Sequence, residues 1–246
     1  HADGLLSLVE ESVSLNPDSE EGKKLLGLVQ QATENPAQSA DKPEEIAVLA
    51  RTFNNAGNYV AQKYGDFDAV RDLWEKALSL KPDDVSIRYN MAISCYDREE
   101  YAEADKHIEV ALRGLYADLA KDDGKDKTNL QEFIYESEKT SAIVQSRLGR
   151  HEAAILLLQD KFSGSVQHGA SVYHAYGVSL AALGRKEEAV KFLEFAVDSE
   201  PTRAYQDDYR KSLKKVTGSD MTAQERLIQQ VREQQLPGAR GPSMMA

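Results

Sequence analysis

The side chains that could catalyse a reaction or bind a metal are few and scattered in this sequence. Either chemistry needs histidine, cysteine or carboxylate groups that meet on one face. The acidic pairs Glu99–Glu100 and Glu187–Glu188 lie at predicted helix N-termini, where the helix dipole favours anions, so no general acid and base can be paired. The five histidines, expected to be surface or partly packed residues, are His1, His107, His151, His168 and His174. The sequence therefore predicts no enzyme, no metal site and no cofactor.

The composition argues against two further classes of function. The 246 residues include 30 Lys and Arg against 41 Asp and Glu, for a formal net charge of -11. Nucleic-acid binding depends on cations that neutralise phosphates, so this balance argues against a nucleic-acid partner. No run of roughly eighteen apolar residues occurs, so no membrane span is predicted. The single cysteine, Cys95, permits no internal disulfide. The cytoplasm is slightly favoured, and the periplasm and secretion stay open because a signal upstream of His1 would lie outside the sequence.

Residues 65–116 contain two copies of one sequence repeat. At an offset of 34 residues, an aromatic, a large apolar and an alanine position coincide: Phe67 with Tyr101, Trp74 with Ile108, and Ala77 with Ala111. A fixed period of this length indicates a small supersecondary unit stacked on copies of itself. The length itself favours a pair of antiparallel helices.

This repeat resembles the tetratricopeptide repeat, in which a small residue, an aromatic residue, an alanine and a closing proline stand at fixed offsets. The resemblance extends over residues 44–201 and implies an all-α fold, a right-handed superhelix (solenoid) of antiparallel helix pairs with a C-terminal capping helix. We expect Trp74 to be buried between the helices of its pair. We expect Gly177 to lie where helices of neighbouring pairs approach closely.

The chain is predicted to have four parts. Residues 1–42 are interpreted as a partial N-terminal repeat and linker, 43–201 as four helix pairs, 202–235 as capping helices, and 236–246 as a flexible tail. Thr222 to Glu225 has the capping-box pattern that starts a helix. The helix before it is predicted to close the last pair with a stripe of Tyr205, Tyr209, Leu213 and Val216.

The resemblance also implies a concave groove lined by the first helix of each pair. The positions that face it in the family are occupied by Asn54, Asn55, Asn58, Tyr89, Asn90, Ile93, Tyr96, Lys139, Thr140, His174 and Val178. Asparagine is only a modest helix former, so four asparagines in one groove need an explanation. A carboxamide both donates and accepts hydrogen bonds, and it can bind the backbone of an extended peptide at two points. The alternative is that asparagines are tolerated on any exposed surface.

One subclass of the family captures the carboxyl terminus of heat-shock chaperones with two asparagines and three basic residues. Asn58 and Asn90 occupy the asparagine places here. The basic places are occupied by Asn54, Glu136 and Thr140. A clamp on a carboxylate depends on charge-assisted hydrogen bonds, so this binding mode is not expected, although Arg88 and Lys139 lie near.

The sequence thus predicts a non-catalytic scaffold or adaptor that binds a peptide or a helix of a protein partner in its groove. The alternative is a self-assembling module whose terminal units dock onto another copy and form a homo-oligomer. Light scattering separates the two interpretations, since the scaffold is expected to be a monomer.

Overall fold

The computed structural model describes Gly27 and residues 43–64, 67–121, 127–162 and 168–235, which form helices and turns with no β-strand among them. The helices are α1 Pro43–Tyr64, α2 Phe67–Leu80, α3 Val85–Asp97, α4 Tyr101–Leu119, α5 Thr128–Arg147, α6 His151–Leu158, a 3-10 helix Gln159–Phe162, α7 Ala170–Ala182, α8 Lys186–Ser199, α9 Arg203–Thr217 and α10 Ala223–Gln235. The predicted all-α class is confirmed. The predicted N-terminal part, apart from Gly27, and the predicted tail lie outside the described residues.

The chain divides into two compact units, residues 1–140 and 141–246, and the boundary falls within α5. In the first unit α1 packs on α2, α2 on α3, and α3 on α4. In the second unit α6 packs on α7, α7 on α8, and α8 on α9. Within each unit, therefore, these helices pack on their neighbours in the chain, as expected for adjacent helix pairs.

Local capping signals explain where two of the helices begin. The carboxylate of Asp84 accepts hydrogen bonds from the backbone N–H of Ser86 at 3.1 Å and of Ile87 at 3.3 Å, which starts α3. At the start of α10, the Glu225 carboxylate accepts from the Thr222 N–H at 2.9 Å. The Thr222 hydroxyl accepts in return from the Glu225 N–H at 3.3 Å. The predicted capping box is confirmed.

The turn between two helices has the same backbone form in three places. Gly149 and Gly184 have φ of 75° and 79°, and Glu99 has φ of 62°. In each turn the next N–H donates to a carbonyl five residues earlier: Glu100 to Cys95 at 2.8 Å, Arg150 to Gln145 at 2.9 Å, and Arg185 to Leu180 at 2.9 Å. This is the bond that closes a helix through a left-handed residue. The α3–α4, α5–α6 and α7–α8 connections are therefore equivalent.

Trp74 packs between the helices of its pair, as predicted, and only 6% of it is exposed. It faces Gly57 on α1, where a Cβ atom would lie 2.7 Å from Trp74 Cδ1. The indole N–H donates to the Asn54 carbonyl at 3.3 Å. A large side chain on the second helix thus requires a glycine on the first.

Gly177 occupies a close approach, but the predicted partner helix was wrong. A Cβ atom at Gly177 would lie 2.8 Å from Leu193 Cγ, and Leu193 belongs to α8. The close contact therefore joins the two helices of one pair and not helices of neighbouring pairs. The reason is the same as at Gly57: the small residue faces the large core side chain of its own pair.

Two expectations about exposure were also wrong. His107, His168 and His174 are buried, with 6%, 7% and 5% of each residue exposed. Each ring finds a hydrogen-bonding partner, as at His168, whose Nε2 lies 2.9 Å from the Lys161 carbonyl oxygen. In α9, Tyr209 and Leu213 are buried, whereas Tyr205 is 60% exposed. The apolar stripe of α9 thus begins one turn later than the sequence indicated.

Candidate interaction surface

Three of the four predicted groove asparagines form one cluster in the first unit. The amide group of Asn90 on α3 donates to the side-chain oxygens of Asn54 and Asn58 on α1, both at 3.0 Å. All three residues are half-buried. We call Asn54, Asn58 and Asn90 the carboxamide cluster. Its existence gives these asparagines a structural role, since they link the first helices of successive pairs.

The pairing leaves one edge of each carboxamide open. Within the described residues, the amide nitrogens of Asn54 and Asn58 and the side-chain oxygen of Asn90 have no hydrogen-bonding partner. None of these three atoms is buried. Among the described residues, only Ser137 Oγ is both buried and without a hydrogen-bonding partner. The cluster therefore presents two NH₂ groups and one carbonyl oxygen to solvent.

The contact between successive first helices recurs at equivalent positions. Tyr89 stands three residues before Ala92, as Asn54 stands three before Gly57. Its hydroxyl lies 3.3 Å from Thr140 Oγ1 on α5. Its ring also meets the Phe133 ring edge-on at 5.1 Å. Tyr89 is thus occupied by contacts with α5.

His174, predicted to face the groove, is instead buried in the second unit. It stands three residues before Gly177 and makes the corresponding contact with α9. Its Nε2 lies 2.9 Å from Ser212 Oγ, and its ring stacks on Tyr209 at 4.3 Å. Burial first and the Arg147 charge second lower the pKa of His174 to about 4, against the opposing charge of Asp208. Because α9 covers this position, His174 is not available to a ligand, and Val178 packs beside the same core.

The remaining predicted residues differ in exposure. Asn55 is exposed, Ile93 is 37% exposed, and Tyr96 is half-buried against Tyr101 with the ring centres 5.6 Å apart. Lys139 is paired with Glu136, with its Nζ 2.6 Å from the carboxylate. The open part of the surface in the first unit is therefore the carboxamide cluster, Asn55 and Ile93.

The two basic residues that the sequence placed near a clamp are both engaged. Arg88 donates to the Pro82 carbonyl at 2.7 Å and lies 3.1 Å from His107 Nδ1. Burial lowers the pKa of His107, and the Arg88 charge lowers it further. Lys139 also lies over the Tyr135 ring, 5.1 Å from its centre. Neither side chain offers a free cation to a carboxylate ligand.

Sequence reasoning missed Arg51, an exposed residue of α1. It precedes Asn54 by three positions and Asn55 by four, so it shares their helix face. It has no hydrogen bond or ion pair within the described part of the chain. The signal that could have found it was this helical spacing.

The described residues contain no group of three or more His, Cys, Asp or Glu side chains that could hold a metal ion. None of the described helices has the length and apolar character that a bilayer span requires. In the described part of the first unit, the surface offers the neutral amides of the carboxamide cluster and Asn55, the apolar side chain of Ile93 and the cation of Arg51.

Residues 170–203 match the family model of the tetratricopeptide repeat. This segment comprises the α7–α8 pair and the first residue of α9. In a comparison with curated proteins, no sequence matched the chain. The matched pair has the turn found at Glu99 and Gly149, and a close approach of the kind found at Gly57. Residues 170–203 are therefore similar to a tetratricopeptide repeat, a non-catalytic kind of repeat that generally mediates protein–protein interactions.

Proposed function

We propose that this protein is an interaction scaffold whose first unit binds a peptide segment of a protein partner along α1 and α3. The observation that carries the proposal is the open edge of each carboxamide in the carboxamide cluster. Ile93, 37% exposed, provides an apolar contact on the same helix as Asn90. Polar groups for a backbone and an apolar contact for a side chain are what an extended peptide requires.

The cluster is suited to binding because its geometry is fixed before a ligand arrives. Asn90 holds Asn54 and Asn58 through hydrogen bonds at 3.0 Å, so their side chains lose little freedom on binding. Each new hydrogen bond to a ligand contributes about 0.5–1.5 kcal/mol net. Three such bonds and one apolar contact favour a moderate affinity.

The same pairing decides which substitution tests the proposal. Replacing Asn90 would break two interhelical bonds, so a loss of binding would also report a change in packing. Ile93 is a better choice because it is exposed. Leu156 on α6 is a matched control, since it is also a large apolar residue and is 69% exposed.

The experiment begins with peptides selected on the parent protein from a displayed random-peptide library. Their Kd is then measured by fluorescence anisotropy for the parent, Ile93→Asp and Leu156→Asp, after circular dichroism has shown equal helicity. Burying the exposed third of the isoleucine side chain contributes about 0.5–1 kcal/mol, and a carboxylate at this position also loses hydration when a ligand covers it. Ile93→Asp is therefore expected to weaken binding by about tenfold. Leu156→Asp is expected to bind as the parent does. Equal affinity of all three proteins would place the binding surface elsewhere.

A second candidate function, self-assembly, is favoured by one observation. On α10, Leu227, Ile228 and Val231 are 61%, 43% and 42% exposed and lie along one side of the helix. A second copy could cover them. The mass of the protein in solution separates this alternative from the scaffold.

A further inference from the structure

Arg51 extends the carboxamide cluster into a row along α1. Arg51, Asn54 or Asn55, and Asn58 follow each other at intervals of three or four residues, so they lie about one turn apart on one face. Arg51 is exposed and has no partner in the described residues. Arg88 and Lys139, in contrast, are held by Pro82, His107 and Glu136. Within the described residues, the row thus has one free cation at its N-terminal end and neutral amides beyond it.

The spacing of this row matches an extended chain. From Arg51 to Asn58 the helix advances seven residues and rises about 10.5 Å, and three residues of an extended strand rise about 10 Å. About four residues of an extended peptide that runs along α1 therefore span the row. The open NH₂ groups of Asn54 and Asn58 suit peptide carbonyls, and the open oxygen of Asn90 suits a peptide N–H.

The charge of the row distinguishes a peptide terminus from an internal segment. A terminal carboxylate loses hydration on binding, and strong recognition needs several charge-assisted bonds. This surface offers one exposed guanidinium, which by itself adds little affinity. It suits an acidic side chain that remains partly hydrated, while the backbone on either side continues past the row.

We propose, building on the function proposed above, that the partner segment is an extended internal stretch with an acidic side chain at Arg51. Its backbone is bound by the carboxamide cluster, and one apolar side chain packs on Ile93. The acidic residue sets the direction and register of the segment. The amides supply hydrogen bonds that depend little on its other side chains.

Two displayed random-peptide libraries test this proposal with the full chain. One presents free carboxyl termini, and the other presents the random residues between fixed flanks. The parent protein is expected to enrich the internal library, with Asp or Glu at one position of the enriched peptides. Selection on Arg51→Glu is expected to move that position to Lys or Arg. With a synthetic acidic peptide from the parent selection, Arg51→Ala is expected to weaken binding about two- to fivefold at low salt, and less at high salt.

Each outcome of the two selections supports or overturns the proposed acidic internal segment. Enrichment confined to free carboxyl termini would overturn the proposal and leave a peptide-binding function intact. Enriched internal peptides without an acidic position, or with one that is unchanged in Arg51→Glu, would overturn the role of Arg51. If neither library is enriched, both this proposal and the function it rests on fail. Circular dichroism of Arg51→Glu controls for folding, since an exposed side chain makes no core contact.

Discussion

Contacts with adjacent helices explain why glycine and asparagine occur at certain helical positions of this chain. Gly57 and Gly177 face Trp74 and Leu193 at distances that exclude a Cβ atom. Asn90 is a poor choice for a helix on propensity alone, but it joins two helices through its amide group. A residue type that looks unfavourable in one helix is thus explained by the adjacent helix.

Glu99 is the non-glycine residue with positive φ in the described part of the chain, and it offers a stability test. The equivalent turns have Gly149 and Gly184. A left-handed backbone costs a side-chain-bearing residue about 1–2 kcal/mol, and glycine's larger unfolded-state entropy offsets part of the gain. Glu99→Gly is therefore expected to raise the free energy of unfolding by about 0.5–1 kcal/mol, measured by urea denaturation.

The matched control for this prediction is Glu109→Gly. Glu109 is exposed and lies within α4, where φ is that of a regular helix. Glycine in that setting is expected to lower the free energy of unfolding by about 1 kcal/mol. A loss of stability in both variants would show that the Glu99 turn is not strained.

The helix α9 packs on the α7–α8 pair and buries His174. Tyr209 stacks on the His174 ring, and Ser212 lies within hydrogen-bonding distance of it. The pKa of His174 falls from its usual 6.5 to about 4 through burial first and the Arg147 charge second, against the opposing charge of Asp208. The folded protein thus favours the neutral ring.

This burial predicts a loss of stability in acid. Between pH 6.5 and about 4 the unfolded chain binds a proton at His174 and the folded protein does not, so the free energy of unfolding falls as the pH falls through this window. A full shift from 6.5 to about 4 corresponds to about 3 kcal/mol. His174→Gln is expected to reduce the slope of stability against pH, measured by urea denaturation from pH 7 to 5.

Burial also lowers the pKa of His107. Part of the slope of stability against pH therefore remains in His174→Gln. His151→Gln is a matched control, because this ring is only half-buried, although it also lies near a serine hydroxyl, 3.3 Å from Ser179 Oγ. Identical slopes for the parent and His174→Gln would contradict the proposed role of the buried ring.

Helix positions were predictable because their signals are local. The helix α2 spans Phe67–Leu80, from an aromatic position of the repeat to just before Pro82, which cannot continue a helix. The helix α4, which no proline closes, has 19 residues and exceeds the 14 of α2 by about one and a half turns. Capping at Thr222 and the breaks at Pro82 and Gly184 follow from the residue types alone.

Contacts between helices were less predictable, because they depend on how each helix is rotated about its axis. Asn54 and Asn90 are 36 residues apart, and no pattern in either helix indicates that their side chains meet. The close approach at Gly177 was visible in the sequence, but its partner Leu193 was not. His174 was predicted to face an open groove because no local pattern in the sequence indicates that α9 covers it.

For the protein as a whole, the remaining question is whether one copy is the functional species. The formal charge of -11 opposes association of identical chains. The α10 stripe of Leu227, Ile228 and Val231 favours it. A stable interface usually buries about 800 Å² on each partner, and three exposed side chains are a small part of that area. The balance favours a monomer.

Light scattering after gel filtration is therefore expected to give the mass of one chain, 27.3 kDa. The measurement is made at low and at high salt, because screening weakens the repulsion between acidic chains and would reveal an association that charge conceals. Ile228→Glu is expected to have the same mass as the parent under both conditions. A parent mass of two chains that returns to one in Ile228→Glu would identify α10 as a self-association surface and favour the homo-oligomer. A larger mass that Ile228→Glu does not change would favour self-assembly through another surface.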